Sequence, residues 1–211
     1  VRCWGWNAEG QLGNGTTTDS TLPVGVALSS GVTAVSAGSR HTCAVTAAGG
    51  VKCWGDNGSG RLGIPISTPN SNVPVDAMGL SGGIVAVGAG YEHSCALTAG
   101  GGVKCWGANT NGQLGNGTTT DSSTPVNVSG LTSSVVQLAV GESHNCALTA
   151  TGGVKCWGAN HYGQIGDGKI LHRLLPVDVI GLSGVATIAP VYTHTCAITG
   201  TGAVKCWGDN G

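Results

Sequence analysis

Phenylalanine is missing from this 211-residue sequence, methionine occurs once, aromatic residues make up only 4%, and only 9% of residues are charged. These shortages argue against one large core of bulky side chains. The 39 glycines point instead to many short, tightly turned segments. No stretch keeps a 3.6-residue apolar period without a glycine, proline or β-branched interruption, so helices are not expected. No run of about 18 apolar residues could cross a bilayer as a helix, so no membrane insertion is expected. Nine basic residues nearly cancel ten acidic ones, for a net charge of −1. That balance leaves no electrostatic footprint for a polyanion and makes nucleic acid an unlikely partner class. The first residues, Val1-Arg2-Cys3-Trp4, offer neither an initiator methionine nor the apolar region of a signal peptide.

What the sequence does have is repetition. The tryptophan of a Cys-Trp-Gly triplet returns at Trp4, Trp54, Trp106, Trp157 and Trp207, at intervals of 50, 52, 51 and 50 residues. Each interval runs from a His-x-Cys segment through a Gly-rich turn, Val-Lys-Cys-Trp-Gly, an Asn-bearing loop and a Gly-Gln-Leu-Gly-like element to a Pro-Val segment. The apolar runs Val32 to Ala37, Ile84 to Ala89, Val135 to Val140 and Val185 to Pro190 read as the inner strands of successive sheets. Pro23, Pro74, Pro125 and Pro176 suit an edge strand, because proline cannot donate to a central ladder. Four strands in about 50 residues describe a propeller blade. The expectation is an all-β propeller of about four four-stranded blades, with units at 1–50, 51–102, 103–153 and 154–203 and a new phase starting at 204–211. Val1 shares its phase with Val51, Val103, Val154 and Val204, so this chain is expected to be a piece of a larger ring.

The nine cysteines occupy two phases, and eight form close pairs: Cys43/Cys53, Cys95/Cys105, Cys146/Cys156 and Cys196/Cys206. In the first, His41 to Thr46 and Val51 to Trp54 read as antiparallel strands joined through Ala47-Ala48-Gly49-Gly50, which can set the two cysteines opposite each other. Disulfides are the leading reading, with an oxidising compartment as its corollary: extracellular, cell-surface or periplasmic. Buried free thiols are the alternative. Zinc is a third, disfavoured by the ten-residue spacing. Cys3 has no mate in its own unit.

His41, His93, His144 and His194 recur two residues before a cysteine, which invites a metal hypothesis. Blades fan apart, however, and a hydrogen-bonded structural role is expected of them. No nucleophile-base order, metalloprotease motif or P-loop lysine is present; neither an enzyme nor a cofactor site is expected. Asp167-Gly168 is too little for a calcium loop. Asn14, Asn57, Asn116 and Asn127 begin glycosylation sequons.

Ala-Gly-Ser-Arg-His-Thr-Cys-Ala, Gly-Val-Lys-Cys-Trp-Gly-Asp-Asn and Gly-Gln-Leu-Gly-Asn-Gly-Thr, followed by Pro-Val, closely resemble the repeats of the regulator of chromosome condensation family across the whole chain. The resemblance implies four-stranded blades in a ring that typically has seven. The family's founding eukaryotic member is a guanine-nucleotide exchange factor and chromatin binder, and other relatives are interaction domains. This sequence has no counterpart of the exchange factor's inserted wedge, basic tail or arginine-rich nucleosome loop. Its paired cysteines are similar to those of secreted bacterial versions of the repeat.

Positions that break the internal symmetry are the informative ones, because the fold does not demand the same side chain there in every blade. They are Arg40, Tyr91, Glu92, Glu142 and Tyr192 just before the repeated histidine, and His161, Tyr162, His172 and Arg173 in and after the fourth Asn-bearing loop. Together they form a candidate interaction surface for an unidentified protein or glycan. The expected function is a non-enzymatic recognition or scaffold module. A glycan-binding propeller and an exchange factor for a small GTPase are the alternatives, and missing blades or another chain would complete the ring.

Overall fold

The computed structural model describes residues 1–28 and 31–211. Seventeen strands occur in order and no helix is present among the described residues. β1 (Arg2–Gly5) and β2 (Ser20–Gly25) form a two-stranded sheet. Three complete four-stranded blades follow: β3–β6 (Val32–Ala37, His41–Thr46, Val51–Gly55, Ser71–Asp76), β7–β10 (Ile84–Ala89, His93–Thr98, Val103–Gly107, Ser122–Asn127) and β11–β14 (Val135–Val140, His144–Thr149, Val154–Gly158, Arg173–Asp178). A three-stranded sheet, β15 (Val185–Pro190), β16 (His194–Thr199) and β17 (Val204–Gly208), ends the array. The seventeen strands are thus divided as three whole blades between two partial sheets. Each proline of the Pro-Val pairs lies in an edge strand (β2, β6, β10 or β14), where its missing N–H breaks no central ladder.

Strands β3, β7, β11 and β15 pack against one another in succession and so mark the inner side of the arc. All strand pairings within the sheets are antiparallel. The β3–β4 and β5–β6 connections therefore leave one end of a blade, and the β4–β5 turns leave the other. The same holds in the next two blades.

In each hairpin the register sets cysteine directly opposite cysteine: Cys43 with Cys53, Cys95 with Cys105, Cys146 with Cys156 and Cys196 with Cys206. All four pairs are bridged, with Cα atoms 4.0 to 4.1 Å apart, the close approach of a non-hydrogen-bonded antiparallel pair. The first three bridges are fully buried, and Cys3 is free.

Apolar packing lies between blades. Cys43, Cys53, Val45, Val51 and Leu62 of one blade enclose Ala96 and Trp106 of the next. Cys95, Cys105, Leu97, Val103 and Leu114 likewise meet Ala147 and Trp157. Ala96 and Ala147 are fully buried, so the close approach of the sheets leaves no room there for a larger side chain. A core built from small residues and one tryptophan per interface explains why the chain needs no phenylalanine.

Each tryptophan is also a polar pin. Trp54 Nε1 donates to the Gln11 carbonyl of the preceding sheet (2.9 Å), Trp106 to Arg61 O (2.8 Å), Trp157 to Gln113 O (2.9 Å) and Trp207 to Gln164 O (2.9 Å). The glycine two residues beyond the accepting carbonyl makes this possible. Gly13 has φ +66°, and a Cβ there would lie 2.6 Å from Trp54 Nε1. Trp4 is 63% exposed, whereas Trp54, Trp106 and Trp157 are fully buried.

Candidate functional site

Three of the four repeated histidines join the blades, while His194 is half-buried in the last sheet and makes no such bond among the described residues. His41 Nε2 pairs with Ser94 Oγ, His93 Nε2 with Asn145 Oδ1, and His144 Nε2 with Thr195 Oγ1, each at 2.8 Å across a blade interface. The partner residues fix the direction of these bonds. Ser94 Oγ and Thr195 Oγ1 spend their single protons on Arg61 O and Gln164 O, and the Asn145 amide donates to Gln113 O. Each histidine is therefore the donor through Nε2–H, and its Nδ1 is the bare, buried nitrogen without a partner. Burial, reinforced by Arg61 and His93, pushes His41 down to about 3. Burial pushes His93 down to about 4, outweighing its bond to Asn145 and helped by Arg61, and also brings His144 to about 4, helped by His93 and His194. These are neutral imidazoles, and no group of three or more metal-ligating side chains forms among the described residues.

The Asn-bearing loops are built on buried amides. Asn109 Nδ2 donates to Thr118 O and Thr120 O (both 3.0 Å), while its Oδ1 accepts from Leu114 N (2.9 Å). Asn7, Asn57 and Asn160 repeat this scheme. Asn57 is 2% exposed, so its sequon is closed in the folded chain.

The nine candidate interaction residues lie on one face of the arc, because the connections that carry them leave the sheets at the same end. They divide into two groups. Tyr91, Glu142 and Tyr192, each two residues before a repeated histidine, line one cavity of about 460 Å³ together with Ser39, their counterpart in the first complete blade. This cavity opens where the inner strands end. Its walls are tied to one another by backbone bonds: Ser39 N to Gly90 O (3.3 Å), Tyr91 N to Glu142 O (2.9 Å) and Glu142 N to Val191 O (3.1 Å). Such contact needs bare backbone. A Cβ on Gly90 would lie 2.5 Å from the His93 ring and 2.8 Å from Gly141 O. Tyr192 is 64% exposed and Tyr91 39%.

Arg40 and Glu92, one residue further on, are held to the side. The Arg40 guanidinium lies 5.7 Å from the centre of the Trp6 ring, and Glu92 pairs with Arg61 at 3.3 Å. Arg61 is a residue that sequence reasoning passed over. It is buried where the sister loops carry Gln11, Gln113 and Gln164, it pairs with Asp56 at 3.1 Å, and it donates to Tyr91 O at 3.2 Å. The signal was present as Gly-Arg-Leu-Gly in place of Gly-Gln-Leu-Gly.

The second group surrounds the fourth Asn-bearing loop, and two of its members serve the loop itself. His172 Nδ1 accepts from Asn160 N (3.1 Å), the place taken by Asp19, Asn70 and Asp121 in the sister loops. Burial and the neighbouring His161 lower the His172 pKa. Arg173 is ion-paired with Asp167. His161, edge-on to His172 at 4.2 Å, is exposed, as is Tyr162. Leu174 packs over Gly112 of the preceding blade, while Ile170 and Leu171 are 67% and 69% exposed.

A separate cavity of about 410 Å³ is lined by Val1, Trp4, Trp6, Leu12 and Val35. It lies against the first, two-stranded sheet.

Residues 2–45, 48–97, 101–148 and 151–198 each match the regulator of chromosome condensation (RCC1) repeat. The chain belongs to the RCC1 repeat family. It is 33% identical over 183 residues to the ultraviolet-B receptor UVR8 of Arabidopsis thaliana, covering 85% of this chain and 41% of the receptor. It is 34% identical over 190 residues to the human E3 ubiquitin-protein ligase HERC2, covering 87% of this chain and 4% of the ligase. Among solved structures, yeast RCC1 (Prp20), bound to Kap60 in its crystal, superposes with a TM-score of 0.83 at 26% identity, covering 99% of this chain and 52% of that one. Human WBSCR16 superposes with a TM-score of 0.85 at 25% identity, covering 96% and 55%. The RCC1 repeats present here thus span about half or less of the length of these relatives.

Proposed function

We propose that this chain is a non-catalytic protein-recognition module that acts through the face carrying Tyr91, Glu142, Tyr192 and Tyr162, in an extracellular, cell-surface or periplasmic protein. The observation that carries the reading is the gathering of Tyr91, Glu142 and Tyr192 in one cavity, at a loop position that varies from blade to blade between a repeated glycine and a repeated histidine. The tryptophans and cysteines that build the interfaces recur from blade to blade, and these side chains do not. Exposed tyrosines on a backbone-braced rim provide contact area at little entropic cost. Relatives support the class: yeast RCC1 crystallised with Kap60, and a second structure of that protein concerns its binding to Gsp1p and histones. Four disulfides support the proposed compartment, since such bridges are rare in a reducing cytosol.

Affinity capture from the source organism's extracellular and envelope fractions tests this when three forms of the chain are compared. Changing Tyr91 and Tyr192 to Ser should lower capture of a specific protein about tenfold, the loss of roughly 1.4 kcal/mol expected for contact residues. Changing Ile180, 70% exposed on the opposite end of its blade, to Ser should leave capture unaltered. Equal capture by all three forms, or loss only with Ile180→Ser, would place the interface elsewhere. Capture competed by free oligosaccharide would favour a glycan ligand.

A further inference from the structure

We propose that the cavity between Tyr91, Glu142 and Tyr192 receives a basic side chain, arginine or lysine, from an extended segment of the protein partner. This rests on the reading of that face as a recognition surface and names the chemistry it selects.

The charge pattern of the rim leads to it. Arg61, the basic side chain bonded to this rim, is occupied by Asp56 at 3.1 Å and Glu92 at 3.3 Å, two carboxylates for one guanidinium. Arg40 is held over Trp6. Glu142 is half-buried at the cavity wall and has no cationic partner among the described residues. Burial pushes its carboxyl pKa upward. A carboxylate drawn partly out of water without a partner is stabilised by an incoming cation.

Three features fit that cation to a side chain rather than to a free ion. Tyr91 and Tyr192 border the same cavity, and aromatic rings are the side chains that attract an alkylammonium or guanidinium, which a bare metal ion would not need. The volume of about 460 Å³ lies within the range of ligand clefts and leaves room for the backbone that would carry the side chain. Val140, Pro190 and Val191 complete the wall and suit the aliphatic stem of such a residue.

The test is a nuclear magnetic resonance titration of the whole chain with four nonapeptides that differ only at the centre: arginine, lysine, citrulline or glutamate between alanines and serines. The arginine and lysine peptides should shift the amides of 38–40, 90–92, 141–143 and 191–193. The citrulline and glutamate peptides should bind about tenfold more weakly or worse, and added salt should weaken the arginine peptide. Glu142→Gln should cost the arginine peptide about tenfold, while Glu142→Asp, which keeps the charge, should restore most of it. Citrulline binding as well as arginine, or indifference to Glu142→Gln, would overturn the cation assignment while leaving the face as a binding surface. Shifts confined to other amides, or none with any peptide, would also overturn it. Exchange spectra of the free variants, superposable outside 141–143, separate loss of binding from loss of fold.

Discussion

Complete reduction should unfold this protein at neutral pH. Each of the four bridges closes a loop between residues ten apart. In the chain-entropy account, a loop of that size stabilises by about 2.5 to 3 kcal/mol. Four such loops sum to about 10 kcal/mol, as large as the whole stability of an ordinary domain. Location adds to the effect, because Cys43–Cys53 and Cys95–Cys105 sit in the packed layers between blades, against the tryptophan-bearing neighbours. Free thiols there would have to be accommodated in a close-packed interface. Circular dichroism and tryptophan emission should show cooperative loss of structure in reductant under conditions where the oxidised chain stays folded. Mass spectrometry of the unreduced protein should find four intrachain links and one alkylated cysteine, Cys3. Eight free thiols in the native protein, or a reduced chain that stays folded in the same denaturant range, would refute this and remove the support for an oxidising compartment.

Acid should have an effect of similar size. His41, His93 and His144 are neutral in the folded chain, with pKa values pushed from 6.5 to about 3, about 4 and about 4. Their stabilising contribution is fully present above pH 6.5. Below that value the unfolded chain takes up protons that the folded chain refuses, so stability falls as pH falls, until the folded pKa values are reached. Each site contributes a slope of roughly 1.4 kcal/mol per pH unit inside the window, and three together give up to about 4 kcal/mol per unit between pH 6 and pH 4. Protonation also places a charge on a buried Nδ1 that has no hydrogen-bond partner in any of the three rings. The urea midpoint should therefore drop steeply from pH 6 to pH 4. His93→Gln keeps a donor for Asn145 Oδ1 but cannot titrate, so it should flatten the profile by about a third. A midpoint unchanged over this range would show that these rings are solvated and free to charge.

Much of the fold was legible in the sequence because its determinants are local and repeated. The inner strands Val32–Ala37, Ile84–Ala89, Val135–Val140 and Val185–Pro190 stand at the expected bounds, since apolar runs ending in tight turns allow little else. The paired cysteines could be placed opposite each other because a hairpin fixes the register of residues ten apart. The histidine partners were not legible. Ser94, Asn145 and Thr195 lie 51 to 53 residues from the rings they meet, and their pairing exists only once one blade stacks on the next.

The candidate surface was legible as a set of symmetry-breaking positions but not as a geometry. Nothing in the spacing of Tyr91, Glu142 and Tyr192 states that they share a cavity, and that follows from the stacking of inner strands. His172 and Arg173 looked like surface chemistry in the sequence, yet they hold the loop through Asn160 and Asp167. His172 replaces the Asx acceptor of the sister loops, and Arg173 stands where the other edge strands begin with Ser20, Ser71 and Ser122. Arg61 went unnoticed because a single Gln-to-Arg departure inside a turn motif reads as drift until its two carboxylates are seen.

Hydrogen exchange in the presence of a captured partner tests the division between a repeated scaffold and a variable recognition face most directly. The account predicts added protection at 38–41, 90–93, 141–144 and 191–194, together with the loop at 160–163, and no change at the opposite turns 47–50, 99–102 and 150–153. Protection confined to those opposite turns, or to the outer strands β6, β10 and β14, would contradict it.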